Sequence, residues 1–269
     1  MNLLMTLGDS FKDELRPLNF LGNHELKGGY LNGVHYSGII VVPFDTTEQQ
    51  DELLELFLKT YRERFAGGID KISLELVPWS VRAYSINTFL QGKIQNRIFL
   101  IPIETIVPSM NNLVDWNSNA QQMYEEDGVY GLRGLKIPEG KNHIGYVLDY
   151  LGSPVIYGEN QEPTLTKKAA YLWERIGKLQ SFSNGNKRTA MVAMLVFLHS
   201  NDYDFIFTPG LKQELIDMSL KIAVGLIDTK QISSYILKNV RLNLFNEKWD
   251  TLEQLRSDDN GSNSFDRGD

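Results

Sequence analysis

A mainly α-helical C-terminal domain preceded by a smaller α+β unit is the fold class this sequence predicts, and three observations predict it. Strand-like apolar runs are confined to the first 110 or so residues. From Leu165 onward, apolar residues recur at helical spacing through successive segments. Between the two lies a stretch from Gly128 to Pro163 that is dense in Gly, Pro and Asn. The boundaries drawn on this basis are 1–115 for the α+β unit, 116–250 for the helical domain, and 251–269 for a polar tail with too little apolar surface to fold.

The elements follow in order. The first 35 or so residues are rich in Gly and Asn without a sustained period, which predicts irregular structure or short strands. Residues 38–44 (GIIVVPF) predict a buried strand, and Asp45-Thr46 followed by Glu48 is an N-cap signature for a helix over DELLELFLKTYRERF. Leu53, Leu54, Phe57, Leu58, Tyr61 and Phe65 give that helix one buried face. Residues 71–77 alternate Ile72, Leu74 and Leu76 against Ser73 and Glu75, the pattern of a half-exposed strand, and RIFLIPIE at 97–104 is its expected partner. The polar stretch NNLVDWNSNAQQ is expected to close this unit. In the second half, IGYVLDYL is a short apolar interruption, and LTKKAAYLWERIGKLQ aligns Ala169, Leu172, Trp173, Ile176 and Leu179 on one stripe. KRTAMVAMLVFLHS is apolar almost all round, as a central core helix is. Leu211, Leu215, Met218 and Ile222 mark a further helix, and Ile232, Tyr235 and Ile236 a last one.

Composition narrows the function classes. A chain of 269 residues with 42% hydrophobic and 23% charged residues is an ordinary globular composition with room for a sizeable core. A formal net charge of −7 argues against non-specific binding to nucleic acid or to an acidic membrane surface. With no cysteine there are no disulfides, no thiol chemistry and no thiolate metal sites, which suits a reducing compartment. The N-terminal segment lacks the basic flank and length of a signal peptide, and no apolar run reaches membrane-spanning length, so the expected location is cytoplasmic.

The informative string is Leu179-Gln180-Ser181-Phe182-Ser183-Asn184-Gly185-Asn186-Lys187-Arg188-Thr189-Ala190. It sets a Gly-Asn turn between two apolar helices and puts two cations in the first turn of the second. A helix start presents unpaired N–H groups and the positive end of the dipole, and glycine lets an anion approach the backbone closely. Lys187 and Arg188 sit where the dipole disfavours cations, a cost that a bound anion offsets. Phosphate suits both, with Arg188 as a fork and Lys187 as a point charge. A plain interhelical turn with two solvated cations has the same local pattern, so local chemistry alone leaves both readings open.

The string resembles the signature of the Fic/Doc (fido) family, HxFx(D/E)GN(G/K)R, in its Doc-like form ending NKRTA. Phe182, Gly185, Asn186, Lys187, Arg188 and the following Thr189-Ala190 match. The resemblance extends to TLTKKAAYLWERIG before the motif, AMLVFLHSNDYDF after it and GLRG upstream, covering about residues 120–240. It implies a fido helical domain that binds ATP with Mg2+ and passes phosphate or AMP to a hydroxyl of a protein target, in the manner of toxins that act on a translation factor and are held in check by an antitoxin. By the resemblance Gly185, Asn186, Lys187, Arg188 and Thr189 bind the nucleotide's phosphates, Arg188 and Lys187 stabilise charge during transfer, and Asn184 stands at the metal-holding acidic position.

Two departures bear on activity. The family's catalytic histidine falls on Gln180, whose amide has no basicity near neutral pH. Asn184 offers a neutral oxygen where the family offers a carboxylate, which weakens metal binding. The arginine closing the longer Fic form would fall at Met191, and Lys187 replaces the second glycine, so the string leans to the Doc branch and phosphate transfer. His199 lies eleven residues beyond Arg188 on one helix, about 16 Å away, too far to replace the base. His143 lies in the upstream segment where the family carries a target-docking flap, and is a solvated side chain or a substitute base; His24 and His35 belong to the other unit. Trp79, Tyr84, Phe89 and Trp173 are expected to be core aromatics, and Glu125-Glu126-Asp127 a solvated edge. Ser10-Phe11-Lys12-Asp13-Glu14-Leu15 begins like the family's inhibitory helix motif without completing it. Two functions follow: a Doc-like transferase, or a fido module that binds nucleotide or a partner without chemistry.

Overall fold

The structure, a computed structural model, describes residues 29–31, 33–44, 46–64, 68–78, 83–122, 134–206 and 208–243. Asp45, Phe65, Trp79, His24, Glu125-Glu126-Asp127, the Ser10–Leu15 stretch and the 251–269 tail lie outside the described residues. The chain divides into two compact units, Met1–Thr105 with Leu242–Glu247, and Ile106–Arg241 with Lys248–Asp269.

The first unit is α+β. After the short antiparallel pair β1 (Gly29–Leu31) and β2 (Val34–Tyr36), strand β3 (Gly38–Pro43) leads into α1 (Thr47–Arg64). Thr46 Oγ1 accepts the Gln49 N–H at 3.0 Å, so the cap predicted at Asp45-Thr46 is made by the threonine. Leu53, Leu56, Phe57 and Tyr61 are buried, and the Tyr61 hydroxyl accepts from Asn96 Nδ2. β4 (Lys71–Leu76), β5 (Tyr84–Leu90) and β6 (Lys93–Ile103) complete a four-stranded sheet of order β3-β6-β5-β4, with β3 parallel to β6 and the other pairs antiparallel.

The partner expected for 71–77 is therefore corrected. The 97–104 run lies in β6 and pairs with β3 and β5, while β4 pairs with β5 at the sheet edge and leaves Leu76 51% exposed. β5 escaped sequence reading because three of its four buried positions are polar: Ser85, Asn87 and Thr88 are buried beside Ile86, and Asn87 bonds to both Ser85 (2.8 Å) and Ser73 (3.3 Å). Gln91 (φ 51°) and Gly92 (φ 73°) form the two-residue turn joining β5 to β6, where both central residues take positive φ.

The second unit is helical, as predicted, but begins earlier than residue 116. α2 (Met110–Gln122) runs across the expected 115/116 boundary. The polar stretch expected to end the first unit is this helix: Leu113, Trp116 and Asn117, at helical spacing, are all fully buried. α3 (Glu139–Gly152) occupies the middle of the segment dense in Gly, Pro and Asn, since Gly140, Ile144, Val147 and Leu151 give it a buried stripe. A small hairpin, β7 (Val155–Ile156) and β8 (Glu159–Asn160), leads to α4 (Leu165–Leu179), capped by Thr164. α5 (Asn186–Ser200) is the central helix, buried continuously from Thr189 to Leu198. β9 (Tyr203–Phe205), α6 (Leu211–Ala223), α7 (Thr229–Asn239) and β10 (Val240–Leu242) follow, α7 opening on an Asp228–Gln231 capping box. Trp173 Nε1 donates to Ser219 Oγ at 3.1 Å and so pins α4 to α6. Among the described residues no helix is long and apolar enough to cross a membrane.

Candidate functional site

The site is the link between α4 and α5. α4 ends where Gln180 turns left-handed (φ 51°, ψ 39°), and α5 begins at Gly185 (φ 74°, ψ 12°). Glycine adopts the second conformation without a Cβ penalty, which is why the Gly-Asn step fits there. Between these two turns Asn186, 7% exposed, fastens the loop from within: its Oδ1 accepts the Phe182 N–H (2.8 Å) and its Nδ2 donates to the Phe182 carbonyl (2.9 Å) and to Gln180 Oε1 (3.3 Å). Phe182 is fully buried and anchors the loop in the core.

The helical ladder of α5 starts in the ordinary register. Its first bond is Thr189 N–H to the Gly185 carbonyl (2.9 Å), so the N–H groups of Asn186, Lys187 and Arg188 precede it. Gly185 makes no side-chain cap, and the first turn contains Lys187 and Arg188 and no acidic residue. Side chains that would ordinarily quench the positive helix end are thus absent from this turn, and cations take their place. Lys187 is exposed and Arg188 half-buried.

Two upstream segments brace the loop. Gly134-Leu135-Lys136 runs antiparallel beside it, with Lys136 N–H on the Ser181 carbonyl (3.0 Å) and Ser183 N–H on the Gly134 carbonyl (3.0 Å). Gly140, in the first turn of α3, lies so close that a Cβ there would stand 2.1 Å from the Ser181 carbonyl oxygen. From α2, Asn117 Nδ2 donates to the Asn184 carbonyl (2.8 Å) and to Thr189 Oγ1 (2.9 Å), while its Oδ1 accepts the Gly134 N–H (3.3 Å).

The predicted site residues fall into two groups. Gly185, Asn186, Lys187 and Arg188 come together at the helix start. Thr189 is fully buried; its hydroxyl donates to the Gly185 carbonyl (3.0 Å) and accepts from Asn117, so it shapes the turn from below. Gln180 is exposed; its Nε2 donates to the Gly177 carbonyl (3.3 Å) and its Oε1 accepts from Asn186, which makes it a helix cap. His143 sits on the exposed side of α3, one residue before buried Ile144, and not in a loop. His199 Nδ1 lies 2.6 Å from Asp204 Oδ1, thirteen residues or about 20 Å along α5 from Asn186. His35 is exposed on β2, in the first unit.

Magnesium fits this donor set poorly. Asn184 Oδ1 already accepts the Gly185 N–H at 2.7 Å, and it is a neutral oxygen. Among the described residues no group of three or more His, Asp or Glu side chains is placed to hold a metal. Magnesium needs carboxylates or substrate phosphates around it, so the described residues offer no site of their own here. Asn117, Gly140 and Lys136 were not found from sequence. Leu113, Trp116 and Asn117 at i, i+3 and i+4 were the available signal for the first; the other two contact the loop through backbone, which leaves no side-chain signature.

A central helix thus opens on a left-handed glycine with two cations and no acid in its first turn, an arrangement electrostatically favourable to an anion. Residues 132–198 match the model of the Fic/DOC family. No curated protein matches the chain.

Proposed function

We propose that the start of α5 holds the phosphates of a nucleotide, ATP brought with its own Mg2+, and that the domain passes phosphate or AMP to a hydroxyl on a protein. One observation carries this reading: the first turn of α5 has N–H groups ahead of its ladder, a glycine cap and two cations, with nothing negative in the turn. The N–H groups of Asn186, Lys187 and Arg188 bind phosphate oxygens, and the Lys187 and Arg188 charges stabilise the negative charge that builds on the transferring group. The protein target, a translation factor by family resemblance, and an antitoxin partner belong to the same proposal, as does a cytoplasmic location.

A second reading is favoured by Gln180. Its amide cannot take the proton of an attacking hydroxyl, and it is engaged as a helix cap. On this reading the domain binds nucleotide, or a phosphorylated partner, and performs no transfer.

Titration calorimetry with ATP, with and without Mg2+, tests the shared core. Binding is expected, and Arg188→Ala weakens it about tenfold or more with an unchanged fold, because a charge-assisted contact is lost. Absence of binding by the wild-type chain refutes both readings. Intact-mass analysis of proteins in a bacterial lysate separates them: a gain of about 80 Da reports phosphate, one of about 329 Da reports AMP, and no gain supports the binding module.

A further inference from the structure

We infer that Asn117, on a helix outside the family-matched segment, is the positioning residue that sets which way the peptide N–H groups of Gly185 and Asn186 face. The functional half of this inference rests on the phosphate-binding reading above.

Asn117 is fully buried, and its amide engages three partners. Nδ2 donates to the Asn184 carbonyl (2.8 Å) and to Thr189 Oγ1 (2.9 Å); Oδ1 accepts the Gly134 N–H (3.3 Å). The Thr189 hydroxyl, receiving from Asn117, donates its own hydrogen to the Gly185 carbonyl (3.0 Å). Asn117 therefore holds the Asn184 carbonyl directly and, through the Thr189 hydroxyl, reinforces the hold on the Gly185 carbonyl, which also accepts the Thr189 N–H (2.9 Å).

In a trans peptide the C=O and the following N–H are locked on opposite sides of one plane. Turning the Asn184 carbonyl toward Asn117 turns the Gly185 N–H away from it. Turning the Gly185 carbonyl toward Thr189 does the same for the Asn186 N–H. Gly185, left-handed and without a Cβ, is the step where these peptides would otherwise rotate most easily. The Gly185 N–H so turned is taken up by Asn184 Oδ1 (2.7 Å), and the Asn186 N–H is left as the donor held in place before a ligand arrives, so its orientation need not be acquired on binding. Gly134, the third partner, ties the upstream strand to the same clamp.

Asn117→Asp tests this, because it keeps the shape but cannot donate. Affinity is measured by calorimetry with ATP and with inorganic triphosphate, alongside melting temperature. The Gly185 and Asn186 amide signals and their hydrogen exchange are followed by 15N NMR in the full chain. Ser219→Ala, which removes the partner of Trp173 Nε1 away from the loop, controls for general destabilisation. Asn117→Asp is expected to lose about tenfold or more in affinity, and Ser219→Ala to keep wild-type affinity at a lowered melting temperature. Thr189→Val cuts the second arm alone and is expected to cost less; the double variant is expected to bind no more weakly than Asn117→Asp, because the two act in series.

Wild-type affinity in Asn117→Asp, or an equal loss in Ser219→Ala, overturns the inference. If the wild-type chain binds neither ATP nor triphosphate, the phosphate reading fails, and the amides decide the positioning role. Faster exchange and shifted signals at Gly185 and Asn186 in Asn117→Asp support it; unchanged signals overturn it. Should Asn117→Asp not fold, Thr189→Val decides, unchanged amide signals at Asn186 being the overturning result.

Discussion

Replacing Gly140 with alanine pits helix propensity against a backbone contact, and the structure says which wins. In a helix interior alanine is favoured over glycine by about 1 kcal/mol. At position 140, however, the new Cβ would lie 2.1 Å from the Ser181 carbonyl oxygen and 3.0 Å from its carbon. Relief requires α3 and the 181–183 backbone to part by an ångström or more, since neither atom belongs to a flexible side chain. Overpacking of this kind costs about 1–3 kcal/mol. The separation also strains the Lys136 N–H bond to Ser181 O, whose loss costs about 1 kcal/mol. The net expectation is destabilisation by about 1–3 kcal/mol, at roughly 2–4 °C per kcal/mol for a large domain. Gly145 and Gly152 on the same helix are internal controls, because a Cβ meets only Met110 Cε at 3.9 Å at the first and nothing within 4 Å at the second. Thermal melts of the three alanine variants decide the matter, with Gly145→Ala and Gly152→Ala neutral or stabilising. If Gly140→Ala is as stable as the controls, α3 is not packed on the loop as described.

Two further outcomes follow from particular groups. Burial and neighbouring Asp204 push the Asp202 carboxyl from 3.8 up to about 8. Between those values the folded chain holds a proton the unfolded chain has released, so stability falls as pH rises through that window. Asp202→Asn, which also tolerates the positive φ of 63°, is expected to flatten that slope and raise the melting temperature at pH 8; an unchanged slope refutes it. Asp228 Oδ1 accepts the Gln231 N–H at 2.8 Å, and the Asp228 N–H donates to Gln231 Oε1 at 2.9 Å. Asp228→Ala is expected to cost about 1 kcal/mol and Asp228→Asn much less, both read from the melting temperature; equal effects would show that the cap contributes nothing.

Periodicity made the helices legible and polar burial hid the rest. α4 and α5 follow directly from their apolar spacing, and the turn between them from Gly185 and Asn186. β5 and α2 are different: their buried faces contain Ser85, Asn87 and Thr88 in one and Asn117 in the other, residues a hydrophobicity pattern counts as surface. Asn117 is satisfied by residues 184 and 189, partners so distant in sequence that no local window contains them. The motif was visible because its chemistry is local. Its supports were not, because they consist of one side-chain amide and the backbone of Gly134, Lys136 and Gly140 brought in from elsewhere.

Gln180 raises the last question, whether the missing base is the only obstacle to transfer. Its backbone is left-handed at φ 51°, a conformation in which His, like Asn and Asp, is found more often than most residues. The two hydrogen bonds that Gln180→His gives up are both 3.3 Å long and therefore weak, and the position is exposed. The substitution is thus expected to change stability by no more than about 0.5 kcal/mol. A folded, ATP-binding Gln180→His chain then isolates the proton transfer. Label moving from ATP to protein in that variant, and not in the wild type, identifies the wild-type chain as a binder lacking only its base. If the variant binds ATP yet transfers nothing in the presence of lysate proteins, a second defect lies in how the nucleotide is held, and the neutral Asn184 at the family's metal position is where that defect would be sought.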